Sequence, residues 1–152
     1  MRNGFSLITA IIFIVLIATI GALALSLSTQ SVKQTGDLYL QAQADLLAQS
    51  GTELALLALS THEINTTNGC INTVLAQYPD NANPMFNIEV SIQYMGRGLP
   101  DGAGGGGNCD LVSNAVVTDD SNVTLIMDTV VTSVVGVATE PIRIHRRTLQ
   151  KP

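Results

Sequence analysis

The sequence predicts an α+β fold: one long N-terminal helix, membrane-spanning over its first half, packed on a small antiparallel sheet. Three observations predict it. Residues 5–25 are apolar except for Ser6, Thr9 and Thr19, and no charge falls between Arg2 and Lys33. A helix-compatible pattern then runs on, without proline, to about residue 60. Beyond it the stretch "FNIEVSIQY" alternates apolar and polar residues, the period of a strand with one wet face.

Residues 1–4 form a short leader in which Arg2 and the α-amine supply a small positive excess. That excess keeps the leader cytoplasmic and sends the rest of the chain outward. As a helix, residues 5–25 cover roughly 30 Å, the hydrocarbon thickness of a bilayer. An ordinary secretory signal has a shorter apolar core, of about 7–15 residues, although Ala22, Leu23 and Ala24 offer a cleavage site of the usual small-residue kind.

Residues 26–60 continue the helix as an amphipathic segment. Leu40, Ala44, Leu47, Gly51, Leu54 and Ala58 recur at alternating spacings of four and three, which is one apolar stripe. Asp37, Gln41, Gln43, Asp45, Gln49 and Glu53 occupy other faces. A helix from 5 to 60 extends more than about 80 Å. Gly21, Gly36 and Gly51 interrupt it, each costing roughly 1 kcal/mol relative to alanine. Gly51 is expected at a close packing contact. Gly21 and Gly36 fit either close packing or local melting.

Residues 61–152 form the β domain. "THE" and "NTTNG" end the helix, and residues 65–84 read as a loop with a short helix at 70–77. In the first strand Phe86, Ile88, Val90, Ile92 and Tyr94 face one way, and Asn87, Glu89, Ser91 and Gln93 the other. Residues 95–108, "MGRGLPDGAGGGGN", make a glycine-rich loop, and 110–118 add a short strand. The β-branched run "NVTLIMDTVVTSVV" (122–135) is a strand, "GVATEP" turns the chain, and "IRIHRRTL" (142–149) is another strand.

Composition narrows the function. The net charge of −5 opposes a general nucleic-acid binder. With few aromatics and no Trp, an aromatic-lined pocket for a small-molecule substrate is not expected. Cys70 and Cys109 are two cysteines in 152 residues. They fit one disulfide in an oxidising compartment, the alternative being two buried thiols in a cytosolic protein. Such a bridge closes a loop of about 40 residues and adds roughly 4 kcal/mol in the chain-entropy model.

No catalytic residues and no cofactor are expected. His62 and His145 are far apart, no C-x-x-C occurs, and no Ser-His-Asp or Cys-His arrangement can be argued from the spacing. "GAGGGG" lacks the Lys-Ser/Thr of a phosphate loop. Asp119 and Asp120 with Asp128, or Asp101 with Asp110, could approach a Ca²⁺ ion. No 12-residue ligand loop is present, however, so turn roles are expected and no metal site is assigned. Asn65 and Asn122 each begin an N-glycan acceptor triplet with an acid two residues earlier, Glu63 and Asp120.

"RIHRR" (143–147) is the one basic cluster. In a strand Arg143, His145 and Arg147 share a face. That face is either a solvated edge that discourages strand pairing or a contact for an acidic neighbouring subunit or ligand. DNA binding needs several phosphate contacts, and the net charge opposes it.

The junction of leader and apolar run carries a resemblance. A short basic leader ends in Gly4, and Phe5 follows it in "GFSLITAIIFIVLIATIGALAL". This resembles the prepilin signal of type IV pilins and of the pseudopilins of type II secretion systems. The resemblance covers about the first fifth of the chain. It implies that a prepilin peptidase cuts after Gly4, that Phe5 becomes the N-methylated N-terminus, and that the apolar run is retained as a membrane anchor and then as filament core. It also implies a pilin-like fold, a single-pass protein of the bacterial inner membrane with its C-terminal domain in the periplasm, or an extracellular filament. The implied partners are other pilins or pseudopilins and an inner-membrane assembly platform.

Thr9 stands where most members of that family carry a glutamate, whose carboxylate pairs with a neighbour's N-terminal amine. In this respect "LITAII" resembles minor pilins and the tip pseudopilin. The expected function is therefore a minor, priming or tip subunit. Two rivals remain: a tip-located module that binds secreted substrate, DNA or surfaces, and an exported periplasmic protein cleaved near Ala24.

Overall fold

The computed structural model describes residues 3–65, 68–101, 108–116 and 123–151, the first four by backbone alone. The chain divides into two compact units, Met1–Tyr39 and Leu40–Pro152. A single helix, α1 (Asn3–Ser60), supplies the described residues of the first unit and the first element of the second.

In the first unit the apolar side chains point outward all round the helix. Ile11, Ile12, Phe13 and Ile14 are consecutive and all exposed, as are Leu7, Ile20 and Leu27. Four successive residues at 100° intervals cover the whole circumference. The helix is long and apolar enough to cross a membrane, and none of its most apolar stretch is buried within the protein. Two threonine hydroxyls in and near this stretch bond their own helix. Thr19 Oγ1 donates to Leu16 O at 2.8 Å, and Thr29 Oγ1 to Ser26 O at 2.9 Å. Such back-bonding meets a hydroxyl within its own helix, as a bilayer requires.

In the second unit the remaining turns of α1 pack on a five-stranded sheet of order β1-β2-β4-β5, with β3 also paired to β2. The strands are β1 (Thr73–Tyr78), β2 (Phe86–Gly96), β3 (Leu111–Ser113), β4 (Val123–Ser133) and β5 (Arg143–Gln150). The architecture is the expected α+β one, and β2, β4 and β5 fall on the segments expected to be strands. Phe86, Ile88, Val90, Ile92 and Tyr94 are buried on the helix side of β2. Leu125, Met127, Thr129 and Val131 continue that face on β4.

Three differences from the sequence-based expectation are informative. First, residues 70–77 contain no helix; β1 occupies Thr73–Tyr78, antiparallel to β2. Ile71, Val74, Leu75 and Tyr78 have helical spacing, but pairing with β2 supplies the backbone hydrogen bonds that decide the matter.

Second, the short strand expected within 110–118 is β3, but it runs parallel to β2. The connection 97–110 is long enough for the crossover that a parallel pair needs.

Third, the buried stripe of α1 is Ala44, Ala48, Gly51, Thr52, Ala55 and Leu59, whereas Leu54 is 44% exposed. Small residues dominate the contact because the helix sits close on the sheet. A Cβ on Gly51 would lie 2.8 Å from Ile88 Cγ2 and 3.4 Å from Thr129 Cγ2. The packing role expected for Gly51 is therefore present. Nothing lies within 4 Å of a Cβ built on Gly21 or Gly36.

A buried polar link crosses this interface. Thr52 Oγ1 donates to Ala48 O at 3.0 Å and lies 3.1 Å from Thr129 Oγ1. With its proton given to the carbonyl, Thr52 accepts from Thr129, and both hydroxyls are satisfied.

Candidate functional site

Four regions are singled out by the sequence: the Gly4–Phe5 junction, the cysteine pair, the basic strand and the acidic clusters. At the first, the backbone of Gly4 and Phe5 belongs to α1.

Cys70 and Cys109 form a disulfide, with Cα atoms 4.8 Å apart and S–S 1.99 Å. It ties the segment between α1 and β1 to the base of the glycine-rich loop. Hydrogen bonds fix the same place from several sides. Asn72 Nδ2 donates to Asn108 O at 3.1 Å, and Asn72 Oδ1 accepts from Asp110 N at 3.0 Å. His62 Nε2 lies 3.1 Å from Gly69 O. Tyr94, buried near the end of β2, donates its phenol to Ile71 O at 2.6 Å. Burial pushes the Tyr94 phenol up to about 12, against the smaller opposing effect of that hydrogen bond.

Asn114 clamps Leu99 at the base of the loop. Its Oδ1 accepts from Leu99 N at 3.1 Å and its Nδ2 donates to Leu99 O at 3.2 Å. Residues 102–107, the core of "GAGGGG", lie outside the described residues.

The basic strand is β5, antiparallel to β4. Arg143, His145 and Arg147 share the face turned away from α1, as expected, but they do not act as one patch. Arg147 stands directly opposite Asp128. Its Nε donates to Oδ1 at 2.7 Å and its Nη2 to Oδ2 at 2.6 Å, a bidentate pair. His145 Nε2 lies 2.9 Å from Asp128 Oδ1. The Asp128 side chain is only 18% exposed. The Arg147 hydrogen bond holds its carboxyl below the usual range against the effect of desolvation, and His145 adds to the lowering. The same pairing pushes Arg147 up. Arg143 is exposed and, among the described residues, has no carboxylate partner.

The structural role of Asp128 escapes a reading of spacing because it depends on register. Once the turn at 134–142 sets β5 against β4, Asp128 and Arg147 are forced to face each other. The same pairing engages the carboxylate weighed for Ca²⁺. Asp119, Asp120 and Asn122 lie outside the described residues. Asp110 accepts a bond from Gln93 Nε2 at 3.3 Å. Among the described residues no three His, Cys, Asp or Glu side chains converge to hold a metal. Asn65 is exposed and its Oδ1 accepts from Asn68 N at 2.7 Å.

The outer sheet face also carries an open groove of about 550 Å³, lined by Leu75, Gln77, Asn87, Glu89, Val130 and Thr132 among others. Leu75 is 74% exposed. The groove brings together a carboxylate, amides, a hydroxyl and aliphatic side chains, with no nucleophile–base pair in its lining.

Compared with protein-family models, with curated proteins and with solved structures, the chain matches none.

Proposed function

We propose that this chain is a structural subunit of a type IV pilus-like or type II secretion pseudopilus filament, in a minor, priming or tip position. In this reading a prepilin peptidase removes residues 1–4, Phe5 is methylated, and α1 anchors the chain in the bacterial inner membrane. The domain Leu40–Pro152 then lies in the periplasm, where its disulfide forms. The chain has no chemistry of its own to perform; it supplies a helix for assembly and a domain for contact.

One observation carries the reading. Gly4 and Phe5 lie in the first turn of a helix whose apolar side chains are exposed on every side from Leu7 through Leu27. An apolar surface of that kind needs lipid or other helices around it. The Cys70–Cys109 bridge adds an oxidising compartment.

Thr9 sets the position in the filament. The usual glutamate would neutralise a neighbour's amine, and Thr9 has no charge to do so. A filament built mainly of this chain would bury many uncompensated amines, each costly in a low-dielectric core. One copy at the tip avoids this. Subunit counting in purified filaments tests the reading. We expect this chain in low copy number beside subunits that carry the glutamate. Its absence from filaments, or its presence as the bulk component, contradicts the proposal.

A further inference from the structure

The outer edge of β5 presents unpaired backbone groups under a selective set of charges. β5 ends the sheet on its side and, among the described residues, pairs only with β4. The ladder tells which groups remain. Ser133 N donates to Ile142 O at 2.9 Å, and bonded positions alternate along an antiparallel pair. Residues 144, 146, 148 and 150 therefore bond β4. The N–H and C=O groups of Arg143, His145, Arg147 and Leu149 point away from the sheet, a template for one more strand.

The side chains decide which strand fits. Arg147 is neutralised by Asp128. Arg143 and Arg146 are exposed without a carboxylate partner among the described residues, one on each face of the sheet. Leu149 is 66% exposed and sits opposite Ile126. A second β5 would set arginine against arginine, and like charges directly opposite one another are unfavourable. An acidic strand meets the reverse situation. In a protein of net charge −5, this edge concentrates Arg143, Arg146, Arg147 and Lys151, four of the seven basic residues.

We propose that the β5 edge is a strand-addition site for an extended acidic segment of a partner protein. Such a segment places carboxylates opposite Arg143 and Arg146 and an aliphatic residue opposite Leu149. Main-chain bonds supply affinity and the charges supply selection. This goes beyond the filament reading and holds whether or not the chain enters a filament.

The test uses the full chain in zwitterionic detergent micelles and the capped peptide Val-Thr-Thr-Glu-Thr-Thr-Glu, which carries this pattern in antiparallel order. We expect saturable binding with hydrogen exchange slowed about tenfold at the amides of residues 143, 145, 147 and 149. The peptide with lysines for glutamates should bind about tenfold more weakly. So should a version N-methylated on the amides that face the edge. The double variant R143E/R146E should reverse the preference and take the lysine peptide, which separates lost recognition from lost folding. Equal binding of both peptides, no binding, or protection at β1 instead of β5 overturns the proposal. So does protection of the four amides by anionic phospholipid nanodiscs in place of the peptide, which assigns the edge to a membrane surface.

Discussion

Gly51 is the residue at which helix and sheet meet most closely. Gly51→Ala forces a methyl to 2.8 Å from Ile88 Cγ2, and overpacking of this kind costs about 1–3 kcal/mol. Gly36→Ala meets nothing within 4 Å and should be neutral or stabilising by up to about 1 kcal/mol. Thermal unfolding of the two variants side by side checks the contrast. Asp128 makes stability depend on pH. Its folded pKa lies below its unfolded one, near about 3.9. Its contribution is therefore complete above about pH 4 and is lost as pH falls through the lower folded value. Asp128→Asn should lower Tm at pH 6 and narrow the gap from the parent protein as the pH falls from about 4 to 2. A gap that stays constant over that range contradicts the assignment.

At the scale of elements, the disulfide holds together pieces that have little secondary structure of their own. Cys70→Ala or Cys109→Ala should reduce stability by about 2–5 kcal/mol, read as a shift in the denaturant midpoint. In unreduced extract neither cysteine should take up a thiol label. Strands β2 and β4 are legible in the sequence, β2 because one buried face leaves strict alternation and β4 because its run is rich in β-branched residues. β1 is not, since Val74 and Leu75 lie on opposite faces of an edge strand and Leu75 is exposed, a pattern that also fits a helix. Spacing along α1 favours its larger residues, Leu54 among them, but close approach selects Ala48, Thr52 and Ala55. The Thr52–Thr129 and Asp128–Arg147 pairs depend on register between distant segments, which spacing along one segment cannot carry.

For the whole molecule, one helix links an apolar span to a disulfide-tied domain. The central claim is that the apolar span is processed at its start and then kept. Intact-mass and N-terminal peptide analysis of the protein purified from membranes measures this most directly. The account predicts a mature chain beginning at N-methylated Phe5, and accumulation of the uncut form when Gly4→Ala places a side chain at the cleavage site. A mature chain beginning at Leu25, cut after Ala24, would contradict it.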